Sequence, residues 1–226
     1  MSLKQRVDGA AAFLLHAHPY SETSLVIDVF ARDHGRLAVL ARGARRPRSA
    51  LRGLLLAFQP LELGWHGGGE VKTLAKAEWL GGLPLLTGRG LLLGYYLNEL
   101  LLKLLPREDA HPALFDAYAA ALAGLVANAD AVELRRFEKL LLRELGYGLS
   151  LERDVASGEA LRAEGRYVYQ LERGPVPAQE EERNAYRGKT LLDIAADDYS
   201  DPRTAAESKQ LMRQLFSHYL GGQALQ

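Results

Sequence analysis

The chain has 226 residues, of which 48% are apolar and 25% charged, with 28 basic side chains balancing 28 acidic ones. This composition suits one large core or two modest ones and excludes disorder as the main state. With no cysteine in the sequence, a disulfide framework and a thiolate zinc ribbon are excluded, and a reducing compartment is expected.

Lys4 and Arg6 precede only a short apolar run and are offset by Asp8, a poor signal-peptide pattern, so the N-terminus reads as a mature start. Gly9 to Ala17 predicts a strand that Pro19 terminates. In Thr23 to Ala31, Leu25, Ile27 and Val29 point one way while Ser24, Asp28 and Arg32 share the opposite parity, the period of a half-buried strand. Asp33-His34-Gly35 supplies a turn, and Leu37, Val39 and Ala41 resume the alternation, so a hairpin is expected.

The next segment holds Arg36, Arg42, Arg45, Arg46, Arg48 and Arg52 without one acidic residue. In a chain of zero net charge, such a run is either a solvated loop or an anion-binding surface, with nucleic acid the first polyanion to consider. Guanidinium groups that track phosphates release counterions and give salt-sensitive binding with little sequence preference.

Phe58, Leu61, Leu63 and Trp65 predict a fourth strand and Val71 to Trp79 a fifth, joined by Gly67-Gly68-Gly69. That glycine run lacks the Lys-Ser/Thr of a P-loop and lies between strands, so it reads as a hairpin turn. On the fifth strand Lys72, Leu74 and Lys76 share a face opposite Val71, Thr73, Ala75 and Trp79. Lys72 and Lys76 are assigned to the exposed parity, extending the arginine track. Tyr20 is the nearest aromatic that could stack on a base, Phe30 the alternative, and electrostatics is expected to dominate over stacking. Five short strands with one long connection fit a small closed barrel of the OB type better than an open sheet with exposed edges.

Gly81 to Pro84 changes the pattern, and a domain boundary is placed there: 1–82 for the barrel and 83–226 for a mainly helical domain with a polar loop or ribbon insertion near 151–190. The fold class is therefore α+β. Up to Leu83 the chain carries eleven Lys and Arg against seven acids, and seventeen against twenty-one beyond it. This asymmetry suggests a binding module attached to a second body. The apolar run from Leu91 to Leu105 is interrupted by Asn98, Glu99 and Lys103 and falls short of the roughly 20 residues that span a bilayer. It predicts a helix buried on most sides, with Leu91, Leu92, Tyr95, Tyr96 and Leu100 inward and Pro106 as its stop.

His111 to Ala127 predicts a second helix with Leu114, Tyr118, Leu122 and Leu125 on one stripe. A third begins at Asp130, which has capping-box spacing to Glu133, and ends before Gly146. Leu134, Phe137, Leu141 and Leu145 form its apolar stripe, with a basic shoulder of Arg135, Arg136, Lys139 and Arg143. That shoulder is either a solvated face paired to Glu138 and Glu144 or a seat for an acidic peptide with an apolar end. Lys209 and Arg213 on the last helix are second candidates. Within the insertion only Tyr167 to Leu171 reads as strand. Asp193, Asp197, Asp198 and Asp201 read as an acidic connection whose spacing matches no calcium loop. The last helix starts at Asp201-Pro202, buries Leu211, Met212, Leu215, Phe216 and Tyr219, and ends at Gly221-Gly222.

No catalytic constellation emerges. His16, His18, His34, His66, His111 and His218 are scattered, and a zinc site needs three or four convergent ligands. An enzyme is not expected, and neither a metal nor a cofactor is assigned. A hydrolase using His16 or His66 and an adaptor that never touches nucleic acid are the readings from other classes.

Several segments recur in order at a family's spacing: Tyr20-Ser21-Glu22-Thr23-Ser24 to Asp28-Val29-Phe30, Gly43-Ala44-Arg45, Gly69-Glu70-Val71-Lys72-Thr73-Leu74, Tyr96-Leu97-Asn98-Glu99-Leu100-Leu101, Leu134-Arg135-Arg136-Phe137-Glu138, Leu145-Gly146-Tyr147-Gly148 and Tyr219-Leu220-Gly221-Gly222. Together they resemble the RecO family of bacterial recombination mediators over nearly the whole chain. The resemblance implies an OB-type barrel followed by a helical domain and binding of single- and double-stranded DNA. It also implies strand annealing and, with RecR, loading of RecA onto DNA coated by single-stranded DNA-binding protein, whose acidic C-terminal tail would be the peptide for the basic shoulder. A cytoplasmic, nucleoid-associated protein without a membrane partner is implied as well. An OB-barrel module for RNA or translation is the alternative. Many relatives carry a four-cysteine zinc ribbon where this chain has Arg153 to Glu180; here Asp154-Val155-Ala156-Ser157-Gly158-Glu159 has no thiol. Some relatives also continue with a basic tail beyond the point corresponding to Gln226.

Overall fold

A computed structural model describes residues 6–127 and 131–221. Five strands come first: β1 (Arg6–Tyr20), β2 (Ser24–Ala31), β3 (Gly35–Ala41), β4 (Pro60–His66) and β5 (Val71–Trp79). They pair in the order β1-β2-β3-β5-β4, and β4 pairs back onto β1 to close the ring. Every pairing is antiparallel except the short parallel seam between β3 and β5, which runs only from Ala38↔Val71 to Leu40↔Thr73. The alternation read from the sequence fills the interior with Ala12, Leu14, Ile27, Val29, Leu37, Val39, Leu61, Leu63 and Trp65.

β1 continues through Pro19, where the sequence predicted its end. Its first part, to Phe13, pairs with β4, but from Ala17 onward only β2 lies alongside, with Pro19 opposite Leu25. A proline without an N–H is tolerated on such a one-sided stretch. At the β2–β3 turn Gly35 has φ +67° and the carbonyl of Asp109 would lie 2.0 Å from any Cβ there, so no other residue fits.

The long connection from β3 to β4 carries one short helix, α1 (Leu51–Leu54), which the sequence did not announce. After β5 come α2 (Gly88–Leu104) and α3 (Pro112–Ala127). On the outer barrel wall Phe13 and Phe30 meet Phe115 and Tyr118 of α3, with ring centroids 5.1–6.3 Å apart. Leu114, Tyr118, Leu122 and Leu125 are buried as expected. α2 departs from expectation: its buried face is Gly90, Gly94, Leu97, Asn98, Leu100 and Leu101, while Leu92 is 71% exposed and Tyr95 is also exposed. Its closest approaches are through the small Gly90 and Gly94, with the Phe58 ring 3.0 Å from where a Cβ on Gly94 would sit, which turns the bulkier residues outward.

The chain divides into two compact units between residues 129 and 130, so α2 and α3 group with the barrel strands. The second unit holds α4 (Ala131–Glu144), strands β6 (Arg166–Gln170), β7 (Gly174–Pro177) and β8 (Ala185–Arg187), then α5 (Gly188–Ala195) and α6 (Pro202–Tyr219). Leu134, Phe137, Leu141 and Leu142 of α4 are buried, as are Leu211, Met212, Leu215 and Phe216 of α6. Asp201 caps α6, its carboxylate accepting from Arg203 N at 2.8 Å, and Pro202 follows it. Asp130 and Gly222, expected to bound α4 and α6, lie outside the described residues. The polar insertion is more ordered than its sequence suggested: a three-stranded sheet of order β7-β6-β8 replaces the expected ribbon, and the first part of the acidic connection is α5.

Candidate nucleic-acid interface

Arg42, Arg45, Arg46, Arg48 and Arg52 are all exposed along the β3–β4 connection. None of the five forms an ion pair with a described residue. Arg45 anchors the loop: its backbone N donates to Thr23 O at 2.9 Å and its guanidinium to Ser21 O at 2.8 Å, against the β1–β2 turn. The exposed Tyr20 lies at the same turn. Leu25, Ala44, Arg45, Leu51, Arg52 and Leu55 line a groove of about 400 Å³ on one side of α1. A tied backbone and guanidiniums without carboxylate partners among the described residues together make a surface suited to a polyanion.

Three expectations for this surface are corrected. Arg36 is largely buried: its Nε donates to Leu105 O at 2.9 Å and NH1 lies 3.7 Å from Asp28. Burial, and then Arg107, lower the Arg36 pKa, while Asp28 opposes them. Arg107 reaches the same buried Asp28 at 3.1 Å. Lys72 is only 7% exposed, its Nζ donating to Gly69 O at 2.9 Å and pairing with Glu108 at 2.8 Å. It shares parity with Leu74, which packs on the barrel interior. A register shift opposite Gly64 and Trp65 then separates it from Lys76, which is exposed but paired to Glu78 at 2.9 Å. Phe30 is fully buried against α3 and offers no base platform.

In the second unit the basic shoulder of α4 is partly consumed. Arg135 is buried and bonded to the fully buried Glu138 at 2.7 Å. Lys139 donates to the carbonyls of Ile194 and Ala195 at 2.9 and 3.1 Å and pairs with Asp197 at 2.6 Å, holding the C-terminal end of α5. Arg136 pairs with Glu133 at 2.6 Å but keeps about half its side chain exposed. Arg143, Lys209 and Arg213 are exposed.

The scattered histidines do not assemble into a site. His18 lies 3.7 Å from Asp28, a carboxylate already held by Arg36 and Arg107. Among the described residues no group of three or more His, Asp or Glu could hold a metal ion, and no helix is long and apolar enough to cross a membrane. Sequence reasoning missed an apolar groove lined by Gly53 and Leu54 of α1 and by Trp79. Its signal was a tryptophan at the end of β5 followed by Leu80 and Leu85.

Residues 9–83 match the family described as Recombination protein O N terminal, and residues 86–226 match Recombination protein O C terminal. The protein named DNA repair protein RecO in Aromatoleum aromaticum is 57% identical, covering 100% of this chain and 95% of that protein. Its namesake in Dechloromonas aromatica is 56% identical over 100% of this chain and 96% of its own length. That of Ralstonia nicotianae is 52% identical, with 98% and 83% covered.

Proposed function

The chain belongs to the recombination protein O family, and from that premise we propose that it is a non-enzymatic DNA mediator. It anneals complementary single strands and, with RecR, helps load RecA onto DNA coated by single-stranded DNA-binding protein. The observation that carries the DNA part is the loop of Arg42, Arg45, Arg46, Arg48 and Arg52, exposed and without carboxylate partners among the described residues. Annealing requires holding a strand by its backbone while its base edges stay free, and phosphate contacts do this without reading sequence.

In this reading residues 1–82 grip DNA, and residues 83–226 support that grip and recruit partners. The acidic tail of single-stranded DNA-binding protein is assigned to Arg143, Lys209 and Arg213 with Arg136, since Arg135 and Lys139 are spent on internal bonds. The cytoplasm and its nucleoid are the corresponding location.

Replacing Arg45, Arg46 and Arg48 together with alanine tests the grip. Each lost contact to a single strand lowers the salt slope by about 0.7, so the triple variant is expected to lose about 2 from it and to anneal strands more slowly. An unchanged slope and annealing rate would place the DNA elsewhere. Stronger binding to a matched RNA than to the DNA strand would favour an RNA-binding module instead.

A further inference from the structure

Gly53 and Leu54 of α1, with Leu56, Gln59, Trp79 and Leu85, line a second groove of about 350 Å³. No charged residue lines it. Its walls keep large apolar groups in water: Trp79 is 56% exposed and Leu85 68%, with Leu56 exposed beside them. Contiguous exposed apolar surface of this kind marks a binding site. Gln59, only 4% exposed, supplies the polar group. The Trp79 indole N–H donates to Gln59 Oε1 at 3.2 Å, which fixes the amide because two N–H donors cannot face each other, and the buried Gln59 Nε2 is left without an acceptor. A buried donor without a partner costs free energy unless a ligand satisfies it.

We propose that this groove receives an unstacked base of single-stranded DNA, packed on the Trp79 indole, with a base carbonyl as the acceptor that Gln59 Nε2 lacks. The proposal rests on the DNA-binding reading above and adds to it the place where bases, as opposed to phosphates, are held. The short α1 contributes to both grooves: Arg52 lines the cationic one, while Gly53 and Leu54 line the apolar one. One short helix therefore serves both a surface for backbone and a surface for bases. An apolar peptide end would also fit the walls, but the unpaired arginines of the cationic groove favour a polyanion that presents a flat ring every few ångströms.

The chain has two tryptophans, and Trp65 is 3% exposed inside the barrel. Quenching of tryptophan emission by added oligonucleotide therefore reports on Trp79. A thymidine oligonucleotide is expected to quench the full chain strongly, and an abasic strand of equal length to quench little. Trp79→Ala should weaken binding of the thymidine strand by about 5- to 100-fold, leave duplex affinity within about twofold, and leave the salt slope unchanged. Trp79→Phe, which keeps a ring, should recover most of the loss. Gln59→Leu should reduce the preference for the thymidine strand over the abasic one.

Equal binding of thymidine and abasic strands by the unaltered protein, or equal losses on single strand and duplex in Trp79→Ala, would overturn the assignment. So would quenching by an acidic peptide ending in phenylalanine but not by the oligonucleotide, which would make the groove a protein-docking site. If no DNA of any form binds with salt dependence, it is the underlying DNA-binding reading that fails.

Discussion

Tyr118 donates its buried hydroxyl to Asn98 Oδ1, and the Asn98 amide in turn donates to the carbonyl of Leu15 at 2.8 Å. Leu15 stands where the register of β1 shifts between Leu14 and His16, and a shifted residue leaves a backbone group without its ladder partner. Asn98 satisfies that carbonyl from α2, and Tyr118 on α3 orients the amide. Asn98→Leu should cost about 1–3 kcal/mol, because a buried carbonyl then lacks a donor. Tyr118→Phe should cost somewhat less. A urea titration checks this, and midpoints equal to that of the unaltered protein would contradict it.

Arg36 and Arg48 are the same residue type in one basic stretch, yet they should respond oppositely to substitution. Arg36→Ala removes the donor to Leu105 O and one of two guanidiniums beside the buried Asp28, so it should lower thermal stability with little effect on DNA affinity. Arg48→Ala touches no described partner and should do the reverse. Lys72→Ala belongs with Arg36, since it breaks the bonds to Gly69 O and Glu108. Melting curves and salt titrations on the same three variants separate the two roles.

Asp154 organises the loop between Arg153 and Glu159. Its Oδ1 accepts from Ala156 N at 2.8 Å and its Oδ2 from Ser157 Oγ at 2.6 Å, while its own N–H donates to Glu159 O at 2.9 Å. The Ser157 hydroxyl and then the Ala156 N–H hold this carboxyl below its ordinary range. Val155 N donates to Pro175 O on β7, so the loop is tied to the sheet. Asp154→Ala should therefore speed hydrogen exchange at Val155 and Ala156, and Asp154→Asn should do so less. A chelator should leave both rates in the parent protein unchanged.

Much of the barrel was legible because a two-residue period with one buried face leaves little choice of register, as Ile27, Val29, Leu37 and Val39 show. What was not legible depends on partners distant in sequence. Lys72 reads as exposed until Glu108, 36 residues later, returns to meet its ammonium. Lys139 belongs to a basic shoulder only until the end of α5, some 55 residues later, closes on its ammonium, whereas the Arg135–Glu138 pair was within reach of the sequence. Leu92 and Tyr95 read as core because apolar count alone does not reveal that Gly90 and Gly94 provide the close approach. Trp79 was assigned to a strand face without notice of the groove, since α1 and the Leu83–Leu85 segment that complete it carry no periodic signal.

Glu207 gives the second unit a specific acid sensitivity. It lies on α6 and accepts from Thr190 Oγ1 at 2.5 Å on α5 and from Arg203 Nε at 2.7 Å. Burial pushes this carboxyl upward, but the hydrogen bonds from Thr190, Arg203 and Arg187 N outweigh it, and the net direction is below the ordinary glutamate value of 4.5. A carboxyl that titrates lower folded than unfolded favours the folded state at every pH above its unfolded value. That gain disappears as pH falls through the folded value, where both states bind the proton. Glu207→Gln keeps the shape but not the charge, so near neutrality it should cost about 1.5–3 kcal/mol, the range for hydrogen bonds to a charged group. As pH falls below the ordinary glutamate value the gap between variant and parent should narrow, because the parent's own carboxyl becomes protonated in the folded state as well. Denaturant midpoints of both proteins, measured from pH 7 downward through the acid limb, test this directly. A gap near zero at pH 7 would show that the ionised form of Glu207 contributes nothing to holding α5 and α6 together.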